Sequence, residues 1–233
     1  MSIYRKTKKA WAKWWVATLL RVGGVNYRKT KKIWVNWWLS NPEYAIATNS
    51  DEHVKRSEMI VNRYALILNG CRSFCELGVG TGRNIHFFHK RFPDWHYCGN
   101  DISPDIHDII RSIYPDLLDY AEITVADTLN YLKVCNDTDI MFTYGHLMHL
   151  PDAVIEEVCT LIATKTNRFI LIHEGYPHKA GAKMKASYKH YRFERNYDNM
   201  FPGFILKHRQ VEEHPTKLGL RHCLYLFERI GDQ

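Results

Sequence analysis

The sequence predicts an α/β fold. A doubly wound, Rossmann-like sheet is expected, mostly parallel with a terminal antiparallel strand, and an N-terminal helical extension precedes it. Three observations predict it. Short apolar runs alternate with helical patterns between about residues 51 and 174, the rhythm of βαβ units with helices on both faces of a sheet. The first run opens into Gly78-Val79-Gly80-Thr81-Gly82, a turn that feeds directly into a helical pattern. The runs also end in polar residues: Glu76, Asp101, Asp127, Tyr144 and Glu174. In an open α/β sheet the carboxyl ends of the strands are where ligands bind.

The extension comes first in the chain. The sequence of 233 residues carries a formal charge of +7, enough length for a full core plus an appendage. Residues 1–42 hold ten Lys or Arg and no acid, leaving 22 basic against 25 acidic residues beyond them. The basicity therefore belongs to a leader and not to the body. The leader contains a tandem repeat: Tyr4-Arg5-Lys6-Thr7-Lys8-Lys9 returns 23 residues later as Tyr27-Arg28-Lys29-Thr30-Lys31-Lys32, each followed by three tryptophans. Trp11, Trp14, Trp15, Thr18, Leu19 and Val22 share one helical face. Two short amphipathic helices are expected, and the chain divides into a leader, 1–42, and a domain, 43–233. Such helices can cap the domain, lie on an anionic membrane surface or track a nucleic-acid backbone. The apolar runs are shorter than a membrane span requires. Six scattered cysteines without metal-type pairing fit reduced thiols, and a cytoplasmic location is expected, with membrane association through the leader as its variant.

The elements of the domain follow in order. Val54, Met59, Ile60, Tyr64, Leu66, Ile67 and Leu68 place a helix from about residue 51 to Asn69-Gly70. Strand 72–77, the glycine turn and a helix to about Lys90 come next, and Phe92-Pro93-Asp94 breaks that helix. A strand over 95–101 ends in Asp101. Ser103-Pro104-Asp105 starts a helix to about Tyr114, with the Ser103 hydroxyl expected to cap it and to leave Asp101 free. Strands are expected over 122–127, 139–144 and 168–173, with a helix from Pro151-Asp152 to about Thr164. Residues 175–203 read as an irregular insertion. Residues 204–214 and 221–230 read as an antiparallel pair.

Three glycines at alternate positions let backbone approach a ligand closely, and the following helix offers unpaired N–H groups. The string is not a dinucleotide fingerprint, which needs G-x-G-x-x-G; Arg83 stands where the third glycine would be. Glu76-Leu77-Gly78-Val79-Gly80-Thr81-Gly82 instead resembles motif I of class I S-adenosylmethionine-dependent methyltransferases. The resemblance implies S-adenosyl-L-methionine as cofactor, with Glu76, Gly78, Gly80, Thr81, Gly82 and Asn84 around its methionine half. It implies Asp101 on the ribose hydroxyls, Ile102 over the adenine, Asp127 and Thr128 beside it, and Tyr144 at the next strand end.

Methyl transfer relies chiefly on positioning the nucleophile, and a hydroxyl acceptor needs a base near the operating pH. The candidates are His146, His149 and Glu174, because Tyr144-Gly145-His146-Leu147-Met148-His149 and His173-Glu174-Gly175-Tyr176 follow the fourth and fifth strands. Thirteen histidines make such spacings common, so no metal is assigned. Similar strings occur in a methyltransferase family associated with pseudaminic acid and other surface sugars. By that resemblance Tyr44, Asn49, Tyr176, Arg192 and Arg195 would contact substrate, the arginines presenting bidentate forks to an anion. The implied function is methyl transfer to a small polar acceptor, a sugar or sugar nucleotide of glycan biosynthesis. Two other readings stand beside it: an RNA or protein methyltransferase holding its polymer with the leader, and a non-catalytic partner or membrane-tethered scaffold on a cofactor fold.

Overall fold

A computed structural model of the chain describes residues 49–177, 184–187, 192–212 and 221–231. The leader, Tyr44 and the side chain of Arg192 lie outside the described residues. The domain begins with helix α1 (Asp51–Tyr64), whose first turn carries Asp51 and Glu52, acids suited to the positive end of the helix dipole. Next come β1 (Ser73–Leu77), α2 (Arg83–Arg91), β2 (His96–Asp101), α3 (Ile106–Ile113), the single-turn α4 (Leu117–Tyr120) and β3 (Ala121–Val125). Helix α5 (Thr128–Val134), β4 (Thr138–Tyr144), a 3-10 turn (Leu147–His149), α6 (Asp152–Lys165) and β5 (Thr166–Tyr176) complete the alternating part. The chain then adds β6 (Met184–Ser187), β7 (Arg192–Arg195), β8 (Phe204–Val211) and β9 (Arg221–Arg229).

Seven strands form one sheet in the order β3-β2-β1-β4-β5-β9-β8. β1 through β5 are parallel, whereas β9 pairs antiparallel with β5 and β8 with β9. The fold class is therefore the expected one. Strand order reverses between β1 and β4, which places the switch point at the glycine turn.

Period-2 alternation along the strands sorts the interior into two layers. Phe74, Ile140, Phe142, Phe169 and Leu171 face one side, packed under Ile60 and Tyr64 of α1, Phe88 of α2 and Ile110 of α3. Phe74 and Phe88 meet with ring centroids 4.3 Å apart. Cys75, Met141, Ile170, Ile172 and Tyr225 face the other side, under Leu132 of α5 and Val158 and Ile162 of α6.

Two elements differ from expectation. Helix α5 has no apolar face strong enough to announce itself, yet Tyr131 and Leu132 bury against the sheet. The insertion is not wholly irregular: β6 and β7 form an antiparallel hairpin apart from the main sheet. All six cysteines are free. No helix among the described residues is long and apolar enough to cross a membrane.

Candidate active site

The glycine loop between β1 and α2 is shaped by positive φ at Gly78 (71°), Gly80 (56°) and Gly82 (82°). The N–H groups of Gly78 and Val79 both donate to the Asn100 carbonyl, at 2.9 and 3.0 Å, which pins the loop to the end of β2. Two glycines are required by their neighbours as well as by φ. A Cβ at Gly78 would lie 2.3 Å from Nδ1 of His146, and one at Gly82 would lie 2.6 Å from Leu117. Gly80 differs: a Cβ there meets nothing within 4 Å, so its bare backbone faces open space.

Glu76 ends β1 beneath this loop and is fully buried. Its Oε1 accepts from Asn84 Nδ2 at 2.6 Å, while Oε2 is buried with no hydrogen-bond partner. Burial pushes the carboxyl up to about 8, against the pull of Asn84 and Arg83. Asn84 in turn accepts from the Ser57 hydroxyl at 2.7 Å, and Arg83 Nε donates to the same hydroxyl at 2.8 Å. Asn84, expected among the cofactor contacts, therefore holds Glu76 and ties the loop to α1. Thr81 is buried beside it.

Asp101 is not free, contrary to the expectation from Ser103. Its Oδ1 accepts the Ser103 N–H at 2.9 Å and its Oδ2 the Gly80 N–H at 3.0 Å. The reason is local: the chain turns so sharply after β2 that the carboxylate itself organises the turn and reaches across to the glycine loop. The carboxylate keeps lone-pair capacity for a further donor. Ile102 beside it is partly exposed. Asp127 caps α5, accepting from the Asn130 backbone N–H at 3.2 Å and its side-chain amide at 2.7 Å. Thr128 Oγ1 lies 2.6 Å from His146 Nε2. His146 thus spans from the glycine loop to the start of α5, and burial lowers its pKa to about 4, so the ring is neutral.

The other expected catalytic group, Glu174, faces the backbone of the 145–149 turn. Its Oε1 accepts from Thr143 Oγ1 and from the N–H groups of His146 and Leu147, each at 2.9 Å, and Oε2 accepts from Met148 N at 3.1 Å. A carboxylate so occupied, and fully buried, shapes the turn. His149 is partly exposed in the 3-10 turn, its N–H bonded to the His146 carbonyl at 3.0 Å. Arg195 also departs from expectation. It is buried, bonded to Asp152 (2.6 Å) and to the carbonyls of Leu147 (3.2 Å) and Leu150 (2.7 Å). Its guanidinium clamps the segment between β4 and α6. Tyr176 packs partly buried at the end of β5, and Asn49 accepts from the Tyr114 hydroxyl at 2.9 Å.

A polar cluster that the sequence reading missed lies beside Tyr144. The Tyr144 hydroxyl is 3.2 Å from His53 Nδ1 and 3.3 Å from an Arg56 amino group. Its ring stacks on His173, centroids 4.5 Å apart, and Arg83 lies over it at 4.9 Å. Arg56 Nε pairs with Glu212 at 2.8 Å, and Glu212 also meets His173 Nε2 at 2.9 Å. His222 completes the group, 5.0 Å from His173 between centroids. These residues come from α1, α2, β4, β5, β9 and the end of β8. One signal was available: on a strand His173 and Glu174 must face opposite sides, so they could not serve one site. Continuous contacts link Glu76, Asn84, Ser57, Arg83, Tyr144, Arg56 and Glu212, from the loop to the cluster.

A family model described as "Methyltransferase domain" matches residues 74–166, the stretch from β1 to the start of β5. No curated protein matches the chain in sequence. Among solved structures, magnesium protoporphyrin IX methyltransferase from Synechocystis, with bound SAM, superposes with a TM-score of 0.65 at 14% identity, covering 86% of this chain and 97% of that one. The mitomycin 7-O-methyltransferase MmcR gives 0.67 at 15% identity over 94% of this chain and 68% of its own. The 1,6-didemethyltoxoflavin-N1-methyltransferase of Burkholderia thailandensis gives 0.65 at 12% identity, with 88% and 91% covered. The chain therefore has the Rossmann-like fold of class I methyltransferases, with a methyltransferase-domain match running from its glycine loop to β5.

Proposed function

We propose that the chain is an S-adenosylmethionine-dependent methyltransferase acting on a small polar acceptor, a sugar or sugar nucleotide of surface-glycan biosynthesis. One observation carries the cofactor reading: an unoccupied carboxylate oxygen on Glu76 is buried under a glycine loop that Asp101 holds from the other side. The residues fit the cofactor. Glu76 Oε2 suits a cationic ammonium, the bare Gly80 leaves room for close approach, and the spare lone pairs of Asp101 suit ribose hydroxyls. Ile102, Asp127 and Thr128 would border the adenine. When bound, the cofactor supplies a methyl group already activated on a sulfonium.

The chain's own contribution is then placement. Glu174 and Arg195 fix the 145–152 segment, and through it His146 against the loop. Tyr144, His53 and Arg56 offer polar groups to a hydroxyl-bearing acceptor. The resemblance to the surface-sugar methyltransferase family favours the sugar class. The structural neighbours carry names of small-molecule methyltransferases, which favours a small acceptor over a polymer.

Calorimetry with S-adenosylhomocysteine tests the cofactor, and the expected result is binding at micromolar concentrations. No binding at high micromolar concentration rejects the enzyme reading and favours a non-catalytic scaffold. Incubation of a cell extract with methyl-labelled donor, followed by mass spectrometry, tests the acceptor. Label in a sugar or sugar nucleotide is expected; label in RNA or protein, with steep salt dependence, would replace it with the polymer reading.

A further inference from the structure

We propose that His173, Glu212 and His222 form a binding site for a divalent first-row transition-metal ion, of which Zn(II) is the type. One donor atom from each lies within 4.8 Å of the others. The sheet brings them together by register. His173 pairs with Leu224 and Gly175 with His222 across β5 and β9, so the two histidines project from the same face. The Glu212 N–H donates to the His222 carbonyl at 2.9 Å, which sets its carboxylate beside them.

The distances suit ligation better than hydrogen bonding alone. His173 Nε2 is 2.9 Å from Glu212 Oε1, but His222 Nδ1 is 3.7 Å from Oε2. That nitrogen is buried and has no hydrogen-bond partner, although His222 is only 7% exposed. A buried imidazole nitrogen aimed at a carboxylate beyond hydrogen-bond reach leaves a gap. Metal–ligand bonds of about 2.0–2.2 Å give separations between ligands of roughly 3–4 Å; the two histidine–carboxylate separations here are 2.9 and 3.7 Å, and the three donor atoms lie within 4.8 Å of one another.

Two imidazoles and one carboxylate are the donor set of catalytic zinc and of non-haem iron, with positions left open for an exogenous oxygen. A hard, all-oxygen ion such as Mg(II) would be ill matched.

Arg56 works in both directions. Its bond to Glu212 orients the carboxylate, as outer partners of metal ligands do, and its charge opposes the ion. The remaining groups facing the site are His53, Tyr144 and, through Arg56, Glu52. The site is accordingly expected to bind in the micromolar range rather than as a structural zinc.

The test uses the full chain without an affinity tag, stripped with chelator. ZnCl2 is titrated by calorimetry, and bound metal is counted by elemental analysis after gel filtration. One equivalent is expected. Co(II) substitution should give visible d–d bands. His222→Ala and Glu212→Gln should each weaken Zn(II) binding at least tenfold, whereas His107→Ala, on α3, should not. Circular dichroism checks that each variant is folded. Failure of the wild-type chain to bind overturns the proposal whatever the variants do, and so does equal affinity in folded His222→Ala and Glu212→Gln. S-adenosylhomocysteine binding by the metal-free chain is a separate measurement, so loss of one reading is distinguishable from loss of the other.

Discussion

Replacing Glu76 by glutamine should make the stability of the domain less dependent on pH and weaken its hold on the cofactor. The carboxyl is fully buried, and its pKa is raised from 4.5 to about 8 chiefly by burial. A folded-state pKa above the unfolded value means that the native state keeps a proton which the unfolded chain releases. Stability from this group is therefore present below about pH 4.5 and is lost as pH rises toward 8. Integrating between pH 5.5 and 7.5 gives a loss of about 2.5 kcal/mol, or roughly 5–10 °C in melting temperature for a domain of this size. Glutamine keeps the acceptor for Asn84 and cannot ionise. The difference in stability between variant and wild type should therefore grow in favour of the variant by about 2.5 kcal/mol over that interval. Denaturant midpoints at four pH values measure it. A difference that stays constant would refute the argument that Glu76 is buried in its protonated form. If Oε2 receives the cofactor ammonium, wild-type affinity for S-adenosylhomocysteine should rise across the same interval, because binding must displace the proton. The variant should bind at least tenfold more weakly without that rise.

Asp101→Ala should weaken S-adenosylhomocysteine binding at least tenfold while the domain stays folded; calorimetry showing unchanged affinity would remove Asp101 from the cofactor site. Glu174→Gln places an amide donor against backbone N–H donors that now share a carboxylate, and should cost about 2–5 kcal/mol of stability. An unchanged denaturation midpoint would show that the 145–149 turn does not depend on this charge. Gly82→Ala forces a side chain into φ +82° and toward Leu117; a loss of about 1–2 kcal/mol or more is expected from the backbone alone, measured by thermal melting.

The alternation of strands and helices, the glycine turn and the strand-end acids were legible in the sequence because each is a local pattern. Period-2 and period-3.6 hydrophobicity follow from the geometry of single elements, and a turn needing positive φ selects glycine where it occurs. The choice of partner for each polar side chain was not legible. Ser103 looked like the better cap, yet the turn after β2 aims its N–H at Asp101. Glu174 and Arg195 looked like reactive or anion-binding groups; burial against open backbone donors and carbonyls made both into clamps. Helix α5 and the β6–β7 hairpin went unread because their order comes from contacts and not from their own periodicity.

The sequence by itself determined the alternation of strands and helices and the loop that marks the cofactor edge. Tertiary structure alone decided which side chains share a site. Arg56 and Glu212 are 156 residues apart, and they meet His173, His222 and Tyr144 only because β9 folds back antiparallel on β5 under α1. A buried polar group takes whichever complementary partner the packed backbone delivers, since leaving it unpaired costs more than a kilocalorie or so per mole. That delivery depends on the register of distant strands, which no local pattern encodes.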